Sequence, residues 1–296
     1  MRHHLSAAAV AAIVAAGITL FLPRLATQPA HEPVATAQQQ ESAYDRVMRT
    51  GEIRCGYVSA SLPFFARDPN TGAFYGIWYD YLEELGKALN LKIVWQQEAV
   101  FATYIEDLNS GRYDIECFGG WPNANRGKRM EYTLPVFFTP LYLYTKAGNT
   151  AFDGQYDRVN SPDVRISTID GTTADRLRLS RFPRTTLVSL PESADYASML
   201  LNLVTGKADV AIFDYDLFLN FDRQNPGLLR RVNGSPLRVM ADCLGLPAGE
   251  FRLQQMLNVA TQELLYDGVI DRILDKYEQI PGTYLRVPPP YALPKD

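Results

Sequence analysis

Four polar residues have types and settings that suit the binding of a small charged molecule. Arg126 lies in "GGWPNANRGKRMEYT", residues 119–133. A guanidinium can hold a carboxylate through two parallel hydrogen bonds. Flanked by Gly127, Lys128 and Arg129, it also fits the plainer reading of a solvated surface charge. Asp214 closes the segment "ADVAIFD". It can cap the helix-like "YDLFLNF" that follows, or act as counter-charge to an ammonium group. Thr172 and Thr173 lie in "IDGTTADR", a strand–glycine–helix junction. Such a junction aims free backbone N–H groups and two hydroxyls at an anion, although N-capping alone would account for both threonines. A cation, an anion and a helix-end anion site together complement a zwitterion. Asp216 is a candidate general acid if burial raises its pKa; the plainer reading is an exposed residue in a helix first turn.

Composition removes several other chemistries. All three histidines, His3, His4 and His31, precede the segment with folded character, which excludes a Ser-His-Asp triad, a Cys-His pair and a His-ligated zinc there. Cys55, Cys117 and Cys243 are widely spaced and form no metal-type pair. No metal, cofactor or catalytic residue is therefore assigned. A net charge of −4 without a long basic run argues against nucleic acid as a partner.

The elements that must position these residues alternate in type. "EIRCGYV" reads as a strand. "GIWYDYLEELGKALN" places Ile77, Tyr81, Leu82, Leu85, Ala88 and Leu89 on one helical face, with Asn90 ending it. "KIVWQ", "YDIECFGG", "VRISTI", "TTLVSL" and "ADVAIFD" read as strands. "FATYIEDLNSG", "TTADRLRLS" and "SADYASMLLNLVTG" read as helices. This order specifies an α/β protein with mostly parallel sheets, and 296 residues favour two lobes over one core.

One local echo ties the lobes together. "LNSGRYDIECFGG" and "LVTGKADVAIFDY" share the frame L-x-x-G-[RK]-x-D-[IV], with Asp114 and Asp209 in register 95 residues apart. Each reads as a helix closed by glycine, a tight turn and a buried strand. Ligands of open α/β sheets bind at the carboxyl ends of strands. With two lobes, that places "GGWPNANR", "FDYD", "IDGTTADR" and "SASLPFF" around one cleft.

The first 37 residues differ in kind. A basic "MRHH" precedes an 18-residue apolar run, residues 5–22, and a polar, proline-containing spacer. This is the layout of an export signal, with Ala35-Thr36-Ala37 as the best cleavage pattern. The run is also long enough to span a bilayer, so an uncleaved anchor is the rival reading. Either places the folded part outside the inner membrane. An oxidising compartment permits a Cys55–Cys117 disulfide, but the favoured reading is three buried apolar thiols.

From about residue 51 to residue 277 the sequence resembles the extracytoplasmic amino-acid-binding proteins of ABC importers, the family 3 solute-binding proteins. The resemblance rests on "LPFF…GAFYGIWYDYLEELGKALNLKIVW", "LNSGRYDIECFGGWPNANRGKRMEYTLPVFFTPLYLYTKAG", "GTTADRL", "GKADVAIFD" and "GEFRLQQMLNVATQELLYDGVIDRILDKY" in that order. It implies a two-lobed type II periplasmic-binding-protein fold. Lobe 1 would comprise residues 38–144 and 245–283, lobe 2 residues 145–244, and a tail residues 284–296. Hinge crossings would lie near residues 142–146 and 242–246. It further implies that Arg126 grips the ligand α-carboxylate with help from Thr173, while Asp214 takes the α-amino group. The sequence departs from the pattern at Gly119 and Trp121, where a small polar residue is frequent. Trp78 stands in place of an acid, and Ser61 in place of a stacking aromatic. The resemblance therefore implies a pocket remodelled by Trp121 and Phe101, with Thr172, Gly119 and Ser61 on its rim; Phe64 fits the core better. Such a pocket, lacking a second fixed cation, predicts poor binding of Asp and Glu and better binding of hydrophobic or basic amino acids.

The function expected is that of a monomeric periplasmic protein that captures an amino-acid-like solute and presents it to an inner-membrane ABC permease. The alternatives are a cyclohexadienyl-dehydratase-like enzyme on the same fold and an accessory module acting in trans on a periplasmic partner.

Overall fold

The computed structural model describes residues 41–59, 63–191 and 193–289. The leader, Ser61 and the tail from residue 290 lie outside the described residues. The chain begins with α1 (Ala43–Thr50), β1 (Glu52–Tyr57), a small hairpin of β2 (Ala66–Arg67) and β3 (Phe74–Tyr75), then α2 (Ile77–Leu89), β4 (Lys92–Glu98), α3 (Tyr104–Asn109) and β5 (Ile115–Gly120). β6 (Met130–Tyr132) and the long β7 (Phe137–Lys146) follow. The second part runs β8 (Arg165–Ile169), α4 (Thr173–Arg181), β9 (Thr186–Leu190), α5 (Tyr196–Val204), β10 (Val210–Asp214), α6 (Tyr215–Gln224) and β11 (Leu229–Arg231). The second long strand, β12 (Arg238–Pro247), leads to α7 (Phe251–Tyr266) and α8 (Val269–Tyr277). The alternating elements read from the sequence are thus present, with ends trimmed by a few residues.

Hydrogen bonding orders the strands β4-β1-β5-β12-β7-β10-β8-β9, with β6 on β12 and β11 on β7. Two parallel sets, β4-β1-β5 and β10-β8-β9, flank an antiparallel centre. The apolar clusters segregate the same way. One gathers Ile53, Trp78, Leu82, Ile115, Phe137, Leu244 and the helices α7 and α8. The other two gather Leu141, Ile166, Ile212 and Met240, and Tyr144, Leu200 and Phe213. The changeover falls between Phe137 and Leu141 on β7 and between Met240 and Leu244 on β12. Along this stretch β7 and β12 pair antiparallel, Arg238 opposite Leu141 and Asp242 opposite Phe137. Leu141 and Leu143 of β7 already pack in the second part.

Three local readings change. Ala88 of α2 is exposed, while Trp78 and Gly86 are buried. The face turns because β4 packs close to the helix: a Cβ on Gly86 would lie 2.9 Å from Ile93. Asn90 does end α2, in the left-handed conformation at φ 52°. The expectation of three free thiols is overturned, because Cys55 and Cys117 share a face of the neighbouring strands β1 and β5 and form a disulfide. Cys243 remains free and buried. Finally, Tyr284, placed at the start of a tail, is 1% exposed and packs edge-on against Phe137 and Phe64.

Candidate functional site

The turn after β5 presents Arg126. Asn123 builds it: its side-chain oxygen accepts from the backbone N–H of Asn125 and of Arg126, each at 3.1 Å. This Asx-type turn fixes the arginine backbone without using its side chain. The guanidinium donates a long bond of 3.4 Å to the Trp121 carbonyl and stands 5.6 Å from the centre of the Tyr104 ring. Among the described residues no carboxylate pairs with it, whereas Arg129 in the same turn pairs with Glu106 at 2.8 Å. The surface-charge reading thus suits Arg129 and leaves Arg126 half-buried with donors to spare.

β10 and β8 present the opposing groups. Asp214 is 5% exposed and caps α6, accepting from the Leu217 N–H at 2.9 Å. Burial raises its pKa to about 6, against the backbone bonds that favour its charge. Thr172 caps α4 through the Asp175 N–H and donates to the Ile169 carbonyl at 2.7 Å. The Thr173 hydroxyl accepts from Arg176, which also donates to the Gly171 carbonyl at 2.7 Å.

Electrostatics connect the two sides. Burial lowers the Arg176 pKa, and the charges of Arg126 and Arg238 lower it further. Tyr196 has its pKa raised by burial and by Asp214, with Arg126 opposing. Arg126 is thus near enough to act on Arg176 and Tyr196, and Asp214 to act on Tyr196. Arg176 went unnoticed in the sequence, where it reads as one of several arginines on a polar helix. It is a cation that the expected exclusion of Asp and Glu did not take into account.

Other residues expected at the site have different occupations. Trp121 is half-buried, donates its indole N–H to Asp242 at 2.9 Å and packs against the second part's core. Phe101 is 64% exposed and rests edge-on against Phe118. Phe64 packs on the first core, as expected. Gly119 is explained by packing, for at φ +79° its Cβ would lie 2.1 Å from the fully buried Trp78 indole.

A set of buried acids lies close by. Asp216 is 7% exposed, contrary to the plainer reading, because the Tyr284 hydroxyl comes from the far end of the chain to donate to it. Burial, and then the Asp214 charge, raises the Asp216 pKa to about 7. Asp242, on the central strand β12, accepts from Thr139 at 2.7 Å and from Trp121, and burial raises it to about 8. Glu116 is fully buried on β5, and burial raises it to about 8. A charged residue between Ile115 and Cys117 in an apolar strand was the available signal for Glu116. Two surface cavities, of about 280 and 240 Å³, lie away from these groups, near Tyr156 and near Arg272.

The profile of the bacterial extracellular solute-binding proteins, family 3, matches residues 53–280. An L-glutamate/L-aspartate-binding protein of Pseudomonas aeruginosa is 22% identical over 81% of each chain. A cyclohexadienyl dehydratase of the same organism is 23% identical over 61% of this chain, a match spanning 65% of the dehydratase. Among solved structures, a putative binding component of an ABC transporter from Wolinella succinogenes, complexed with lysine, has a TM-score of 0.67 at 23% identity, covering 78% of this chain and 97% of that one. An ancestral amino acid-binding protein, described as a precursor of cyclohexadienyl dehydratase, has a TM-score of 0.66 at 21% identity over 80% and 99%.

Proposed function

Because the chain belongs to the bacterial extracellular solute-binding proteins of family 3, we propose that it captures an amino acid or similar small zwitterion for delivery to an inner-membrane ABC permease. The observation that carries this reading is the half-buried Arg126 guanidinium, which no carboxylate among the described residues engages. It would take the ligand carboxylate, with the Thr172–Thr173 junction beside it. Asp214 would take the amino group, drawn to its ionised form by that positive charge. Two lobes, divided where β7 and β12 pass from the first apolar cluster to the other two, would close by a hinge at those strands. The working form would be a monomer in the periplasm, either free after cleavage of the leader or held by it. Among the described residues no helix is long and apolar enough to cross a membrane.

Thermal-shift screening of the twenty amino acids and related solutes should identify the ligand, since a molecule that binds only the folded state raises its melting temperature. Arg126→Ala should then lose about 2–5 kcal/mol of affinity for that ligand by calorimetry, and Arg126→Lys nearly as much, because the lysine lacks the bidentate fork. Unchanged affinity in the alanine variant returns Arg126 to the role of a surface charge.

Asp216 favours a second reading. A buried carboxyl held near neutrality beside the candidate site has the makings of a general acid, as an enzyme resembling cyclohexadienyl dehydratase would need. Turnover of prephenate or arogenate that disappears in Asp216→Asn would establish that reading; binding without turnover supports the first.

A further inference from the structure

Glu116 is fully buried, and among the described residues neither of its carboxyl oxygens has a hydrogen-bond partner. The surrounding chain makes room for it. Its partner across the ladder is Gly245 on β12, and Gly120 follows on its own strand. A Cβ on Gly245 would lie 2.5 Å from the Glu116 Oε2, and one on Gly120 2.7 Å from it. Met130 and Tyr132 of β6 wall the same space. The Tyr132 hydroxyl is itself buried, and among the described residues no well-formed hydrogen bond reaches it. The fold does not require a carboxyl here, since the strand in the second copy of the repeat carries a fully buried Ala211 at the matching position.

Arg126 is the cation that acts on this carboxyl. Its guanidinium flanks Tyr104 and lies beside the Tyr132 hydroxyl, so the two tyrosines border both groups. We propose that Glu116 is a positioning residue for Arg126, leaving the guanidinium free for a ligand carboxylate while neutral and drawing it inward once ionised. This role rests on Arg126 being the carboxylate-binding residue. The carboxyl has the proton affinity for such a role, because burial raises its pKa to about 8. Of its other neighbours, Asp242 on β12 titrates in the same range, from about 8. Tyr104 on α3 and Cys243 on β12 are each pushed to about 12, and Tyr113 and Tyr132 higher still, so they stay neutral.

The test reads the guanidinium without any ligand. Phenylglyoxal modification of Arg126, measured by peptide mass spectrometry relative to Arg129 in the same turn, is followed from about pH 6 to about pH 9 in wild type and Glu116→Gln. Wild type should lose relative Arg126 reactivity by about threefold or more across that range, while Glu116→Gln stays flat. Should the glutamine variant not fold, Glu116→Ala replaces it, since it copies the second strand. A flat wild-type profile, or one falling equally in wild type and variant, overturns the role. Neither outcome bears on whether Arg126 holds a carboxylate, which the calorimetry of Arg126→Ala decides separately.

Discussion

Asp114 and Asp209 occupy the same cage, built twice. In the first, the Arg54 backbone N–H donates to Asp114 at 2.7 Å and its guanidinium reaches both the carboxylate and the Gly111 carbonyl, each at 2.9 Å. In the second, the Arg165 backbone N–H donates to Asp209 at 2.8 Å, and its guanidinium reaches the carboxylate at 2.7 Å and the Gly206 carbonyl at 2.8 Å. Each aspartate N–H returns a bond of 2.8 Å to the carbonyl of its arginine. The cage thus ties a helix-ending glycine turn to the neighbouring parallel strand, which makes it a folding device rather than a binding one. Function begins where the copies diverge. Two residues on, Glu116 stands against Ala211; five residues on, Gly119 stands against Asp214. The first strand thereby runs past Trp78 into the turn that presents Arg126, while the second stops at a carboxylate that caps α6.

The cages also differ in depth, and this gives the largest expected effect. Asp114 is 1% exposed and is held by Arg46 as well as Arg54. The Asp209 and Arg165 side chains are 29% and 41% exposed. Asp114→Ala strands two partly buried guanidinium groups and should cost about 3–5 kcal/mol of stability. Asp209→Ala, cushioned by solvent, should cost about 1–2 kcal/mol. Urea-unfolding midpoints of the two variants measure both. Equal losses would mean that the second cage is as closed in solution as the first.

This pair also marks how far the sequence could be read. The shared frame, the strand and helix types and the positions of Arg126 and Asp214 were legible because they depend on local periodicity, glycine stops and turn chemistry. Arg54 and Arg165 were not, since each lies dozens of residues before its aspartate and reads as an ordinary polar position on a strand. The same distance hid the bond from Tyr284 to Asp216, and it left the Cys55–Cys117 pairing as the less favoured of two readings. Trp121 shows a different limit. Its place in the loop that follows a strand was readable from the chain, but the Asp242 carboxyl that accepts its indole N–H comes from β12.

The second comparison, Glu116 against Ala211, is sharpened by pH. Glu116 has a folded pKa of about 8 against an ordinary 4.5, so the folded state binds its proton more tightly than the unfolded chain does. Stability is therefore greatest below the unfolded value and falls as pH rises from about 4.5 towards 8. Asp242, at about 8 against 3.8, contributes in the same direction. Unfolding free energies should thus decline between about pH 5 and pH 8, and Glu116→Gln should recover on the order of 1–3 kcal/mol of that decline. An unchanged slope in the variant would mean that Glu116 meets water or a counter-charge in the folded state.

The smallest effect concerns the glycines that open each cage. Gly111 and Gly206 both sit at φ +74°, in the left-handed region where a Cβ crowds the following carbonyl oxygen. At Gly206 none of the described residues lies within 4 Å of where a Cβ would stand, so no clash with them adds to this backbone cost. Gly206→Ala should therefore destabilise by about 1–2 kcal/mol. Gly206→Asn should lose less, because asparagine tolerates the left-handed conformation better than other side chains do. The bond from the Arg165 guanidinium meets only the backbone carbonyl of Gly206 and should survive both changes. Equilibrium unfolding of the two variants gives the order. If alanine and asparagine cost the same, the glycine is serving something other than its backbone angle, and the two turns are alike in sequence for a reason outside the cage.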